Sequence, residues 1–198
     1  MTDLKYWWEK SFSWDDYKEM IQSLLDEGKT TGEVQSEEMY HYGKMNWQRS
    51  KRIEKTFKVD EPLDELLRSD AVQPMKVIVI TEGWCGDAAQ SGPVMAELAR
   101  LYPDKIEIKV ILRDTDTALI DQFLTNGGRS IPKFIFLDRD FKLLGDWGPR
   151  PQEVQALYMK MREQELPYSE ISEEVQKWYA KDKTHSVQQE LADLIKTF

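Results

Sequence analysis

The 198-residue chain is long enough for one domain of ordinary size plus a sizeable extension, and its 40% apolar content can build a real core. A net charge of −9 argues against nucleic acid or an anionic membrane as partner. The longest apolar stretch, Val77-Ile78-Val79-Ile80, cannot cross a bilayer, residues 1–20 carry no secretory-type apolar stretch, and one cysteine makes no internal disulfide. A soluble, cytoplasmic protein is expected.

Residues 1–58 read as a helical, aromatic-rich N-terminal extension. Ser13 and Asp16 form an N-cap and acidic third position ahead of Tyr17, Met20, Ile21, Leu24 and Leu25 at helical spacing, and Gly28 stops the run. A second helix is expected from about Glu37 to Lys51. Residues 59–165 then alternate between strand and helix patterns. Pro62 sits in the first turn of a helix over 61–67. The β-branched run Lys76 to Thr81 predicts a strand covered on both faces. Val94, Met95, Leu98, Ala99 and Leu101 predict a helix with Pro93 as a kink, and Ile106 to Leu112 a second strand. A helix over 118–124, ended by Gly127-Gly128, is expected next. Lys133 to Leu137 and Phe141 to Gly145, joined at Asp138-Arg139-Asp140, predict a hairpin, and Pro151 opens a helix to about Arg162. Beyond Pro167, residues 166–198 predict a C-terminal helical extension, read as one helix packed on the domain, because its large aromatics would otherwise be exposed.

The lone cysteine lies in Gly83-Trp84-Cys85-Gly86-Asp87-Ala88, between a strand and a helix. Unpaired amides at a helix N-terminus favour thiolate over thiol. Ala88 stands three residues on, where a dithiol enzyme keeps its resolving cysteine, so a mixed disulfide could not collapse within one molecule. Asp87 has two readings: its charge raises the thiol pKa by like-charge repulsion, or it supports the first turn of the helix.

Trp84-Cys85-Gly86 at a strand-to-helix junction, with Ser130-Ile131-Pro132 opening a later strand, resembles the thioredoxin-like superfamily from about Val59 to Gln164. The fold this implies is α/β, a mixed sheet flanked by helices on both faces. The chain departs from the pattern as a monothiol variant, Cys-Gly-Asp-Ala in place of Cys-x-x-Cys. The resemblance implies a cis Ile131–Pro132 bond beside the sulfur, with the Ile131 backbone pairing with an extended substrate. It also places Val79 and Val110 where thioredoxins keep a buried aspartate and lysine for the resolving step. Cys85 is the candidate nucleophile, and Trp84, Gly86, Asp87, Ile131, Pro132 and Arg129 are candidate substrate-binding residues. The expected activity is thiol–disulfide exchange through mixed disulfides, with a protein or low-molecular-weight thiol as partner. The alternatives are a thioredoxin-fold interaction module without turnover, and a relic cysteine. Arg113 pairs more readily with Asp114 or Asp116 than with the site, and Glu82 reads as a solvent-facing loop carboxylate. His41 and His185 lack companions at metal spacing, so neither a metal nor a cofactor is expected. The N-terminal extension either packs beside Cys85, limiting access, or lies across the sheet as a stabilising piece or homodimer contact.

Overall fold

The computed structural model describes residues 3–198. Its centre is a four-stranded sheet in the order β2-β1-β3-β4, built from β1 (Met75–Thr81), β2 (Ile106–Leu112), β3 (Lys133–Leu137) and β4 (Leu143–Trp147). β1 and β2 run parallel, with Val79 opposite Val110, while β3 pairs antiparallel with β1 and with β4. Helix α5 (Ala88–Leu101) makes the crossover between the parallel strands, as a parallel pair requires. The alternation within β1 divides the core. Val77 and Val79 face one cluster with Phe134 and Phe136, whereas Ile78 and Ile80 face another with Ile111, Ile135 and Leu137.

Helices cover both faces. On the first lie α2 (Trp14–Asp26), α4 (Glu61–Arg68), α5 and α8 (His185–Ile195), contributing Tyr17, Ile21, Leu63, Leu67, Met95, Leu98 and Leu191. On the second, α1 (Leu4–Lys10) supplies Leu4, Trp7 and Trp8. The outer edge of β2 is blunted by Phe12, whose backbone exchanges hydrogen bonds of 3.0 and 2.8 Å with Val110. The expected Ser13 cap forms as a reciprocal capping box with Asp16. Pro93 sits inside α5, and the Ala89 carbonyl it leaves without an N–H partner accepts from the Ser50 hydroxyl at 3.4 Å.

Two expectations about helices are corrected. The segment 118–124 forms only a 3-10 turn, Ile120–Gln122. Its two buried anchors, Leu119 and Ile120, are adjacent, and so short a run cannot repay helix nucleation. The C-terminal extension is two helices, α7 (Tyr168–Asp182) and α8, because Lys183 and Thr184 both take left-handed backbone angles. That bend lets α8 pack on α4 and α5 while α7 pairs with α6 (Gln152–Glu163). α3 (Glu37–Thr56) runs along α5, so both extensions lie against the central domain.

Candidate functional site

Cys85 follows β1 by four residues, in the loop before α5, and is buried with 8% exposure. Its thiol donates to the Ile131 carbonyl oxygen at 3.3 Å, and the Ile131–Pro132 peptide is cis. Val79 and Val110, cross-strand partners, are wholly buried and apolar, so no proton relay stands behind the sulfur at that place.

The charge nearest the thiol is organised by Asp87. Its Oδ2 accepts from Arg150 Nε at 3.0 Å and also from Arg150 Nη2, while Oδ1 accepts from the Tyr179 hydroxyl at 3.0 Å. Asp87 makes no side-chain cap on α5. Its structural role is therefore a buried ion pair with a distant arginine. Arg150 is aimed there by the loop after β4. A Cβ on Gly148, at φ +116°, would stand 2.3 Å from the Pro132 carbonyl oxygen, so only glycine lets this loop lie against the start of β3. Lys133 Nζ secures the same loop through Asp146 at 2.9 Å and the Gly148 carbonyl at 3.2 Å.

The expectation of a thiolate-favouring environment is corrected. Burial first, then the Asp87 charge, pushes the Cys85 thiol up to about 12. The Ala88 and Asp87 amides and the Arg150 charge pull the other way and are outweighed. Helix-end amides contribute at most about 2 kcal/mol in partly buried geometries, less than removing a charge from water.

A cavity of about 170 Å³ opens over Cys85, walled by Trp84, Gly86, Asp87, Ser130 and Ile131 from the central domain. Further walls come from both extensions: Tyr42 and Arg49 of α3, and Tyr168, Ser172 and Gln176 of α7. The N-terminal extension thus packs beside the cysteine rather than only across the sheet. Asn46 of α3 donates to the Trp84 carbonyl at 2.8 Å, and Gln176 of α7 accepts from Gln90 of α5 at 2.7 Å. Arg150 completes the wall, stacked 4.2 Å from the Tyr158 ring centroid.

Trp84, Gly86, Asp87 and Ile131 all reach the cavity, whereas Pro132 borders it only through its neighbour. Arg129 lies outside, half exposed and bidentate on Asp121, with Nη2 2.9 Å from Oδ2. Arg113 pairs with Asp114 at 2.7 Å and stacks 4.8 Å from the Trp84 ring centroid. His41 and His185 are exposed, beside Glu37 and Asp60.

Glu82 is not the solvent-facing carboxylate its sequence position suggests. It is 1% exposed, beneath the loop of Thr30 and Thr31, and one oxygen accepts from the Asp114 amide at 2.8 Å. Burial raises its pKa. A carboxyl group that binds its proton more tightly folded than unfolded stabilises the fold fully at pH below its unfolded pKa. That contribution is lost as pH rises through the folded value. Glu82→Gln should therefore flatten the acid-to-neutral decline in stability. Thermal melts in acidic and neutral buffer check this.

Arg49, Arg150, Tyr179 and Gln176 were not singled out by the sequence. Only Arg150 carried a usable signal, a Gly-Pro loop that follows a hairpin and so returns toward the sheet end.

A sequence model of the family described as thioredoxin matches residues 32–183, taking in α3 and α7 as well as the sheet. Among solved structures, a protein of unknown function from Pseudomonas aeruginosa superposes with a TM-score of 0.56, at 19% identity, over 79% of this chain and 84% of that one. An HIV epitope-scaffold protein superposes with a TM-score of 0.55, at 20% identity, over 89% of this chain and 98% of that one. Both likenesses concern the fold. No curated protein matches the chain.

Proposed function

The chain belongs to the thioredoxin family, and from that premise we propose that it performs monothiol thiol–disulfide exchange on Cys85. The observation that carries this reading is the placing of the only cysteine on the wall of a ligand-sized cavity, hydrogen-bonded to the carbonyl before Pro132. Deprotonated Cys85 attacks one sulfur of a disulfide R–S–S–R, the S–S bond breaks, and R–S⁻ departs and takes up a proton. The products are Cys85–S–S–R and R–S–H. A second thiol, R′–S–H, then attacks the R sulfur, restoring the Cys85 thiol and releasing R–S–S–R′. Ala88 supplies no resolving sulfur, so the second step needs this external thiol. A single cysteine suits a reducing, cytoplasmic compartment.

The test is reduction of hydroxyethyl disulfide by excess low-molecular-weight thiol, with and without protein. Wild-type chain should accelerate it above the uncatalysed rate, Cys85→Ser should not, and insulin reduction should be blank for both. Equal rates for wild type and Cys85→Ser with neutral, anionic and cationic disulfides alike would overturn the reading.

The raised thiol pKa favours a second reading, in which the cavity holds a partner without covalent chemistry. Capture of that partner would then survive Cys85→Ser.

A further inference from the structure

Arg49 is a half-buried guanidinium that meets no carboxylate among the described residues. Nη1 donates to Asn46 Oδ1 at 2.7 Å and Nη2 only to the Met45 sulfur at 3.4 Å. Among the described residues, no Asp or Glu lies within ion-pairing distance of it, although the chain carries nine more acidic than basic residues. The nearby buried arginine behaves differently, since Arg150 pairs with the Asp87 carboxylate and also donates to Gln155. Desolvation and Arg52 make Arg49 still less comfortable as a lone cation. A guanidinium held in place and left with open donors is built to receive an anion.

Its position relates that anion to the sulfur. A Cβ on Gly86, the residue after Cys85, would lie 3.9 Å from Arg49 Nη1 and 3.0 Å from Gln176 Nε2. Asn46 acts as a positioning residue, since its amide holds the Trp84 carbonyl while its oxygen holds Arg49. These two residues are three apart on α3 and so share one face. Arg49 and Gln176 also border a second space of about 460 Å³ between α3 and α7. Walls on both sides leave a slot suited to a small molecule rather than to the surface of a globular protein.

We propose that the cavity over Cys85 selects a low-molecular-weight disulfide or thiol bearing a carboxylate, with the carboxylate on Arg49 and the sulfur on Cys85. This rests on the exchange reading above and names its substrate class. The overall negative charge would by itself slow an anionic reagent and favour a cationic one, so the proposal runs against the background field.

The experiment measures the rate of mixed-disulfide formation on native wild-type protein by intact mass. The probes are dithiodipropionate, hydroxyethyl disulfide and cystamine, at matched ionic strength. Dithiodipropionate should react about ten-fold or more faster than hydroxyethyl disulfide, one charge-assisted contact being enough for that ratio. In Arg49→Gln the ratio should fall to one or below, and Arg49→Lys should restore part of it. Binding of unreactive thiodipropionate to Cys85→Ser, measured by calorimetry, reads the anion site without the chemistry. Binding there with no adduct from any disulfide would sustain the anion site and sink the exchange reading. Adducts from all three probes in order of their charge alone, with no thiodipropionate binding, would overturn the inference and leave exchange standing. A ratio unchanged in a folded Arg49→Gln protein would also overturn it.

Discussion

Arg150→Met should destabilise the protein by about 3–5 kcal/mol, because it leaves the Asp87 carboxylate buried without its counter-charge. The side chains of Arg150 and Asp87 are only 13% and 11% exposed, so water replaces the missing guanidinium only in part. Tyr179 would remain as a single neutral donor to Asp87. At about 2–4 °C per kcal/mol, the Tm should fall by about 10 °C, measured by calorimetry. Adding Asp87→Asn to Arg150→Met should recover part of this loss, since the stranded charge is then gone. The two changes should move the thiol in opposite directions. The Arg150 charge lowers the Cys85 pKa and the Asp87 charge raises it, so Asp87→Asn alone should speed alkylation while Arg150→Met slows it.

Native Cys85 should react with iodoacetamide at neutral pH about fifty-fold more slowly than the same chain in denaturant. Lifting the thiol from 9.0 to about 12 cuts the thiolate fraction about a thousand-fold. A more basic thiolate is also a better nucleophile, and a Brønsted slope of about 0.45 returns roughly twenty-fold of that loss. The pH profile of native alkylation should therefore keep rising beyond the range where the unfolded chain has levelled off. An acidified native thiol, inflecting below the ordinary cysteine range, would contradict the burial and charge pattern around the sulfur.

Such a deficit does not exclude exchange. Seating a reactant beside a nucleophile can contribute effective molarities of about 10⁵ M or more, far above fifty-fold. A buried thiol facing a shaped cavity is thus slow with reagents that merely diffuse past and fast with one the cavity holds. Protection and selectivity come from the same walls.

The sheet was legible because β1, β2 and β3 are compact β-branched or aromatic runs whose burial needs no knowledge of distant residues. The Ser13 cap was legible for the same local reason, and Trp84-Cys85-Gly86 with Ile131-Pro132 placed the sulfur. Contacts across long stretches of chain were not. Asn46 on Trp84, Gln176 on Gln90 and Arg150 on Asp87 join residues 38, 86 and 63 apart, and no periodicity encodes which arginine meets which carboxylate. Glu82 misled because a charged loop residue ordinarily points outward, whereas here the Thr30–Thr31 loop lies over it. The break between α7 and α8 has neither Gly nor Pro to mark it, since the left-handed angles fall on Lys183 and Thr184.

The measurement that bears most directly on Cys85 as an exchange nucleophile is a competition read by intact mass. Native protein is given iodoacetamide and dithiodipropionate together, and the ratio of the two adducts is compared with that from the unfolded chain. Exchange guided by the cavity predicts that folding shifts the ratio toward the mixed disulfide by at least ten-fold, and that external thiol then restores free Cys85. Equal suppression of both adducts on folding would contradict it and leave Cys85 as a buried side chain of a binding protein.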